Sequence, residues 1–203
     1  MKITSIKQQL KRKDRYAVYI DGKYSFSLGE LELINSGLKV GQQLAKEELD
    51  KLQDTAKLDK MYDRVLNYLA IRPRSEWEIR EYLRRKDSPA AQAKVLLNKL
   101  SNTNLINDEA FAKAWVENRH LLKPISRRRL IQELRQKRIA NDTIDKVLAE
   151  DQTDEHEVLR ELVSKKRRQS RYQDDLKLMQ YLSRQGYNYN DIKSVLNGMS
   201  DDQ

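Results

Sequence analysis

The fold is decided by residues 72–86, which read RPRSEWEIREYLRRK. Pro73 disfavours helical geometry at the residue before it, so a preceding helix is predicted to end near Arg72. Ser75 and Glu78 have the spacing of a capping box, in which each side chain binds a backbone N–H at the start of a new helix. The stretch therefore predicts a helix boundary followed by a second helix.

This second helix is predicted to be amphipathic and basic. Its apolar positions recur near the helical period and predict a buried stripe, which consists of Trp77, Ile79, Tyr82 and Leu83. Its outer face and last turn carry four cations, which are Arg80, Arg84, Arg85 and Lys86. Cations in the last turn also interact favourably with the helix dipole.

Weaker copies of this unit occur twice downstream. Aligning residues 82–86 with 133–137 and 181–185 places the central leucines, Leu83, Leu134 and Leu182, 51 and 48 residues apart. Two apolar residues follow thirteen and fourteen positions after each leucine, and an apolar helix is predicted before each copy. The pattern predicts a mainly all-α protein with three tandem three-helix repeats, at 57–106, 107–153 and 154–203. We expect them to form an elongated, curved array, because one such unit buries little apolar surface alone. Predicted N-caps in the repeats are Asn107 or Asp108, Ser126, Asn141 and Asp154.

Residues 1–56 predict a small strand-and-helix module. Strands are predicted at 3–10, 15–20 and 23–28, and Asp21-Gly22 between the last two is a favoured two-residue hairpin turn. A short helix at 30–35 is expected to end at Gly37. A longer helix follows from Gln43 to about Leu69, with a candidate break near 54–57. The module either caps one end of the array or makes a second contact with a partner.

Composition points to an anionic partner. The chain has 203 residues, 35% of them charged, and a net charge of +9. A basic surplus favours a polyanion or an acidic protein surface as partner. The sequence has no cysteine, no secretory apolar core and no apolar run of about 18 residues. It therefore predicts a cytoplasmic protein without a membrane partner.

Catalytic residue patterns are absent from the sequence. The two histidines, His120 and His156, do not have the spacing of a zinc motif. Asp174-Asp175 and Asp201-Asp202 are adjacent pairs that point apart on a helix, so each predicts a helix start or a solvated tail. No nucleophile has a matching base. The prediction is a protein that is not an enzyme and has no catalytic residue, cofactor or metal site.

The basic residues carry the positive prediction. A partner-binding face is expected from 14 residues in the three repeats: Arg80, Arg84, Arg85, Lys86, Arg119, Lys123, Arg127, Arg128, Arg129, Lys165, Lys166, Arg167, Arg168 and Arg171. The run Arg127-Arg128-Arg129 opens a helix, where it opposes the helix dipole, and an anion or an acidic group such as Glu133 would offset that cost.

The aromatic residues receive a different interpretation. Trp77, Tyr82, Phe111 and Trp115 sit at helical spacing on apolar faces and are predicted to be core. Tyr187 and Tyr189 flank Gly186 at a helix–helix turn, where they are candidate rim contacts.

Three segments resemble the bacterial RecX regulatory proteins. They are 71–86, with its Arg-Pro-Arg-Ser-Glu start, 105–119, which contains Leu105-Ile106-Asn107-Asp108 and Trp115-Val116, and 131–137. The hairpin at 16–28 resembles the N-terminal extension of some members. The chain departs from the family at Pro124-Ile125-Ser126, where Gly is frequent, and at Lys137-Arg138-Ile139, where the family often has Lys-Gly-Ile. These departures predict altered loops with the helix faces kept.

The resemblance implies a modulator, usually an inhibitor, of the RecA recombinase that lies in the groove of the RecA–DNA filament. It implies a role in DNA recombination and repair and in the SOS response. We also expect a monomeric state and weak direct contact with single- or double-stranded DNA. Two other hypotheses stay open. One is a stand-alone nucleic-acid-binding protein built from helix-turn-helix-like repeats. The other is an enzyme such as a nuclease, which would need carboxylates assembled from distant residues.

Overall fold

The computed structural model describes residues 1–201, and its side chains through Met199. Within that range the chain forms ten α-helices and one three-stranded sheet. It divides into two units. The first comprises Met1–Pro73 and Ile79–Asn102, and the second comprises Arg74–Glu78 and the chain from Thr103 onward. The predicted acidic tail at Asp201-Asp202 lies outside the described side chains, and residues 202 and 203 lie outside the described range.

The sheet of the first unit is an antiparallel meander. Its strands are β1 (Ile3–Gln8), β2 (Arg15–Ile20) and β3 (Lys23–Gly29), in the order β1-β2-β3. Asp21 and Gly22 have φ of 46° and 81°, which confirms the predicted hairpin turn. Ile3, Val18 and Leu28 lie in the core of this module.

Two helices follow the sheet. The first, α1 (Glu30–Ser36), ends at Gly37 as predicted, with φ of 62° at that glycine. The second, α2 (Lys46–Ile71), runs without interruption. The candidate break at 54–57 was therefore wrong. This segment contains no Gly or Pro, and Ala56 within it is buried against the sheet.

A buried arginine joins the sheet to α2. Arg15 is only 3% exposed and forms ion pairs with Asp63 and, at 3.0 Å, with Asp59. Its guanidinium also donates to the Ser27 carbonyl at 2.9 Å, and the Gly29 N–H donates to Asp59 at 2.9 Å. Because buried charges need such partners, these contacts fix α2 on the sheet.

Residues 72–86 form the predicted boundary and helix. The helix α2 ends at Ile71, and α3 (Glu76–Arg85) and α4 (Ala90–Asn102) follow. The capping box is confirmed. The Glu78 N–H donates to the Ser75 hydroxyl and the Ser75 N–H to the Glu78 carboxylate, both at 3.3 Å.

Trp77 corrects the predicted apolar stripe of α3. Ile79 and Leu83, one turn apart, are fully buried, whereas Trp77 is 36% exposed. Positions i and i+2 of an α-helix lie about 200° apart around its axis, so Trp77 and Ile79 cannot share one face.

The remaining helices belong to the second unit. They are α5 (Asp108–Leu122), α6 (Arg127–Gln136), α7 (Asn141–Glu150), α8 (Glu155–Arg167), α9 (Asp175–Arg184) and α10 (Tyr189–Asp201). A short 3-10 turn at Ser170–Tyr172 precedes α9. One core joins α5, α6 and α7 around Phe111, Leu134 and Leu148, and another joins α8, α9 and α10 around Leu162, Leu182 and Ile192.

The side chains at the helix starts largely match the predicted caps. Asn107, Ser126 and Asp154 each accept a backbone N–H in the first turn of the helix that follows. Asn141 is the first helical residue instead, because Ala140 takes the N-cap position. The Asn141 amide oxygen accepts from Arg135 at 3.1 Å.

Two buried serines link consecutive copies of the middle helix. The Ser75 hydroxyl donates to the carbonyl of Lys137, the C-cap of α6, at 3.1 Å. The Ser126 N–H donates to the carbonyl of Gln185, the C-cap of α9, also at 3.1 Å. Each serine caps one middle helix and binds the end of the next. We call these contacts the serine links.

Candidate functional site

A basic cleft lies between the start of α6 and the turn that joins α9 to α10. It has a volume of about 610 Å³, and its walls include Arg128, Arg129, Arg184, Gly186, Tyr187 and Tyr189. Arg128 and Arg129 belong to the predicted partner-binding face, whereas Arg184 and the tyrosines come from the following copy of the repeat. The fold thus joins cations that are more than 50 residues apart in the sequence.

The backbone on both sides of the cleft is fixed. Ser126 caps α6 by accepting the Arg129 N–H at 3.1 Å, and its own N–H makes the serine link to Gln185. Gly186 follows with φ of 98°, a conformation that favours glycine. The absence of a side chain at Gly186 lets this turn approach the first turn of α6 closely.

The charges that line the cleft are all positive. Among the described residues, no Asp or Glu contributes to its walls. Arg129 Nε lies 3.9 Å from Glu133 Oε1, but the other oxygen of that carboxylate already accepts from Arg119 and Trp115 at 2.7 and 3.0 Å. The arginines of the cleft are therefore only weakly compensated.

The two tyrosines of the cleft have different environments. Tyr187 is 4% exposed and belongs to the core of α8, α9 and α10, and its hydroxyl has no hydrogen-bond partner among the described residues. Burial raises the pKa of this phenol, so the group is neutral. Tyr189 is 59% exposed. The candidate rim contact thus applies to Tyr189, whereas Tyr187 is a core residue.

Arg119, a predicted face residue, is held in an internal network. Its guanidinium binds Glu133 and lies 4.8 Å from the centre of the Trp115 ring. Lys137 Nζ lies 5.1 Å from the same ring and pairs with Glu78 at 2.8 Å. Trp115 packs on the core of α5, α6 and α7, in line with its predicted core position, but it is also enclosed by cations.

The first unit carries the predicted cations in α3 and just after it, which are Arg80, Arg84, Arg85 and Lys86. Arg84 pairs with Glu81 at 3.0 Å, and this hydrogen bond lowers the pKa of Glu81. The Arg85 side chain donates to the Glu81 carbonyl at 3.4 Å, and Lys86 Nζ lies 5.8 Å from the centre of the Tyr82 ring. Arg80 is exposed on the same helix.

The cations at the end of α8 have mixed roles. Arg167 pairs with Asp175 and donates to the Gln173 carbonyl at 2.7 Å. Lys166 lies over the rings of Tyr172 and Tyr181, and Arg171 lies over Tyr172. Lys165 and Arg168 are exposed to solvent, and no ion pair holds them within the described residues.

Lys123 and Arg127 complete the predicted face. Both are exposed, with Lys123 at the C-cap of α5. The Arg127 N–H donates to Glu155 at 3.0 Å, so the first N–H of α6 has a carboxylate partner. Of the 14 predicted residues, only Arg128 and Arg129 line the basic cleft.

A second cavity, of about 500 Å³, lies beside α5 and α7. Its lining includes Val116, Leu121, Val147, His120 and Asp151. The distance from His120 Nε2 to Asp151 Oδ2 is 3.0 Å. Residues 1–201 contain no cluster of three His, Asp or Glu side chains suited to a metal ion. In the same range, no helix has the length and apolar character needed to span a membrane.

Sequence reasoning omitted Arg184 and treated Tyr189 only as a rim candidate. Arg184 lies in an aligned copy of the repeat, directly after Ser183, so the alignment marked its segment. The alignment could not predict the serine link, which brings the end of one middle helix to the start of the preceding one.

Four family profiles match the chain in sequence order. They are the regulatory protein RecX N-terminal domain at residues 1–45 and the first, second and third three-helix domains of RecX at 62–100, 107–148 and 153–196. Regulatory protein RecX of Listeria monocytogenes serotype 4b (strain F2365) is 38% identical over 117 residues, which cover 58% of this chain and 44% of that protein. Regulatory protein RecX of Limosilactobacillus reuteri (strain DSM 20016) is 36% identical over 115 residues, covering 57% and 43%. The aligned part thus spans less than half the length of these relatives.

Two solved structures resemble this one. A crystal structure of regulatory protein RecX aligns with a TM-score of 0.73 and 30% identity, and the match covers 97% of this chain and 98% of that one. RecX from Lactobacillus salivarius aligns with a TM-score of 0.59 and 23% identity over 70% of this chain and 96% of that one, which shows a shared fold. The ordered domain matches and the near-complete structural match show that the chain belongs to the RecX family of regulatory proteins.

Proposed function

We propose that the chain inhibits the RecA recombinase by binding in the groove of the RecA–DNA filament, and that it thereby lowers ATPase activity and strand exchange. Membership of the RecX family supports this proposal, as does the presence of exposed cations in each repeat. We place the repeats at 57–106, 107–153 and 154–203, after a module at 1–56. In this proposal the chain acts as a monomer in the cytoplasm and contributes to recombination, repair and the SOS response.

The single observation that carries the proposal is the weak compensation of exposed basic groups. Arg128, Lys165 and Arg168 have no carboxylate partner among the described residues. Solvated cations of this kind steer association with anionic surfaces, which raises the rate of encounter and so favours binding. A RecA–DNA filament offers phosphates and acidic side chains on one periodic surface.

Inhibition also requires a difference in affinity. The chain must bind one state of the filament more tightly than another, because equal binding to both would leave the equilibrium unchanged. We propose that the basic residues of successive repeats contact neighbouring protomers and favour an inactive or disassembling filament.

The test is a titration of the full chain into a DNA-dependent ATPase assay of RecA, with strand exchange measured in parallel. The expected result is a fall in both activities at stoichiometric amounts, and unchanged activity there would reject the proposal. The double variant Lys165→Glu with Arg168→Glu should need roughly tenfold more protein for half-inhibition. Arg160→Glu reverses an exposed cation of α8 outside the predicted face and serves as the control.

A further inference from the structure

We propose that the basic cleft binds single-stranded nucleic acid, with backbone phosphates on Arg128 and Arg184 and a base stacked on Tyr189. This inference deepens the proposed function by naming a ligand for one site, and it does not require RecA for the contact itself. It depends on a cleft that assembles only when the second and third copies of the repeat are folded together.

The charge arrangement favours an anion. Arg128, Arg129 and Arg184 converge on one cleft whose walls carry no carboxylate among the described residues. Arg128 and Arg129 also lie in the first turn of α6, where the helix dipole disfavours cations. A bound phosphate would offset both the repulsion among the arginines and the unfavourable effect of the helix dipole. The guanidinium group also matches phosphate geometry through paired N–H donors.

The exposed aromatic ring distinguishes nucleic acid from a simple anion. Tyr189 lines the cleft, is 59% exposed, and has no aromatic or cation–π partner within the described residues. A ring beside a cationic groove is the arrangement by which proteins bind single strands, with bases stacked on the ring and phosphates on the cations. An acidic peptide offers carboxylates but no flat base, and a duplex keeps its bases stacked inside.

Size and rigidity also suit this ligand. The volume of about 610 Å³ lies within the range of pockets that hold small organic ligands. The Ser126–Gln185 link and the close approach of Gly186 to α6 fix the distance between the two walls. The cleft is therefore formed before the ligand arrives, which lowers the entropic cost of binding.

The test is fluorescence anisotropy of a labelled oligothymidylate of about 12 nucleotides with the full chain, from roughly 50 to 200 mM salt. Arg128→Ala and Arg184→Ala should each weaken binding at low salt and reduce the slope of log K against log salt by about 1. Tyr189→Ala should weaken binding by roughly fivefold or more, whereas Tyr189→Phe, which keeps the ring, should bind like the parent chain.

Arg160→Ala is the matched control, because it removes an exposed arginine of α8 that does not line the cleft. Circular dichroism should show equal helix content in all variants. The proposal is overturned if Arg160→Ala weakens binding as much as Arg184→Ala, or if Tyr189→Ala has no effect. Better competition by a polyglutamate peptide or by a duplex of equal charge would also overturn it.

The assay separates this inference from the proposed function. The anisotropy assay contains no RecA, so it reports oligonucleotide binding alone. If Arg184→Ala loses oligonucleotide binding but still inhibits the RecA ATPase, the cleft is a nucleic-acid site separate from inhibition. A chain that inhibits RecA but binds no oligonucleotide would reject the cleft and leave the proposed function standing.

Discussion

A Cβ atom placed on Gly186 would lie 2.8 Å from the Cβ of Arg129, closer than real Cβ atoms approach other atoms. The turn after α9 therefore contacts the first turn of α6 at Gly186, where any larger residue would overlap with α6. Gly186 also has φ of 98°, where any L side chain is strained.

Gly186→Ala should lower the free energy of unfolding by about 2 kcal/mol or more, because both strain and overlap oppose the methyl group. Urea unfolding followed by circular dichroism measures this change. Gly198→Ala is the control, since a Cβ at Gly198 in α10 has nothing within 4 Å. That substitution should be neutral or stabilising by up to about 1 kcal/mol, and equal destabilisation by both would contradict the packing described.

Arg138 has a left-handed backbone conformation, at a position where the family often has glycine. Its φ is 60°, at the position that follows the C-cap of α6. Arg138→Gly should therefore raise the free energy of unfolding by up to about 1 kcal/mol. Gln136→Gly, in the last turn of the same helix, should lower it by about 0.5–1 kcal/mol. Thermal unfolding of the two variants should shift in opposite directions, and a destabilised Arg138→Gly chain would show that the arginine side chain has a structural role.

The Glu78–Lys137 ion pair should contribute more than a surface pair. Its atoms are 2.8 Å apart, and Glu78 is nearly buried. A double-mutant cycle with Glu78→Gln and Lys137→Met should give a coupling energy of about 1 kcal/mol or more. The same cycle at the exposed pair of Asp54 and Lys57 should give at most about 0.5 kcal/mol. Equal coupling energies in the two cycles would contradict this ranking.

Asp151 should make stability depend on pH in the acid range. Burial raises the pKa of Asp151, but hydrogen bonds from Thr153 and His120 outweigh this effect and lower it. A carboxyl group with a lowered folded pKa stabilises the fold above its unfolded pKa of about 4, and this stability is lost as pH falls through the folded value. Asp151→Asn should therefore be less stable than the parent at pH 7, and the difference should shrink below about pH 4. A difference in urea midpoint that stays constant from neutral to acid pH would exclude this role.

Local signals were sufficient for much of the fold. The hairpin turn at Asp21-Gly22, the Ser75–Glu78 capping box and the end of α2 before Pro73 each depend on neighbours in sequence, and all three are present. The repeat alignment also predicted the middle helices, because their apolar spacing is preserved in all three copies.

The errors arose where distant contacts decide the outcome. The continuity of α2 depends on packing against the sheet, and the buried Arg15 is fixed by Asp59 and Asp63, which lie more than 40 residues away. The basic cleft was missed for the same reason. Arg128 and Arg184 line the same cleft because one copy of the repeat packs on the next, and no local sequence pattern predicts that packing.

The serine links also bear on how the protein melts. If the third copy of the repeat opened, the Ser126 N–H would lose its hydrogen bond to the Gln185 carbonyl, while the Ser126 hydroxyl would still cap α6. A hydrogen bond of this kind contributes about 0.5–1.5 kcal/mol net, so opening of one copy removes a stabilising interaction from its neighbour. Nearest-neighbour coupling of this kind favours concerted unfolding of adjacent copies over a stepwise loss from one end.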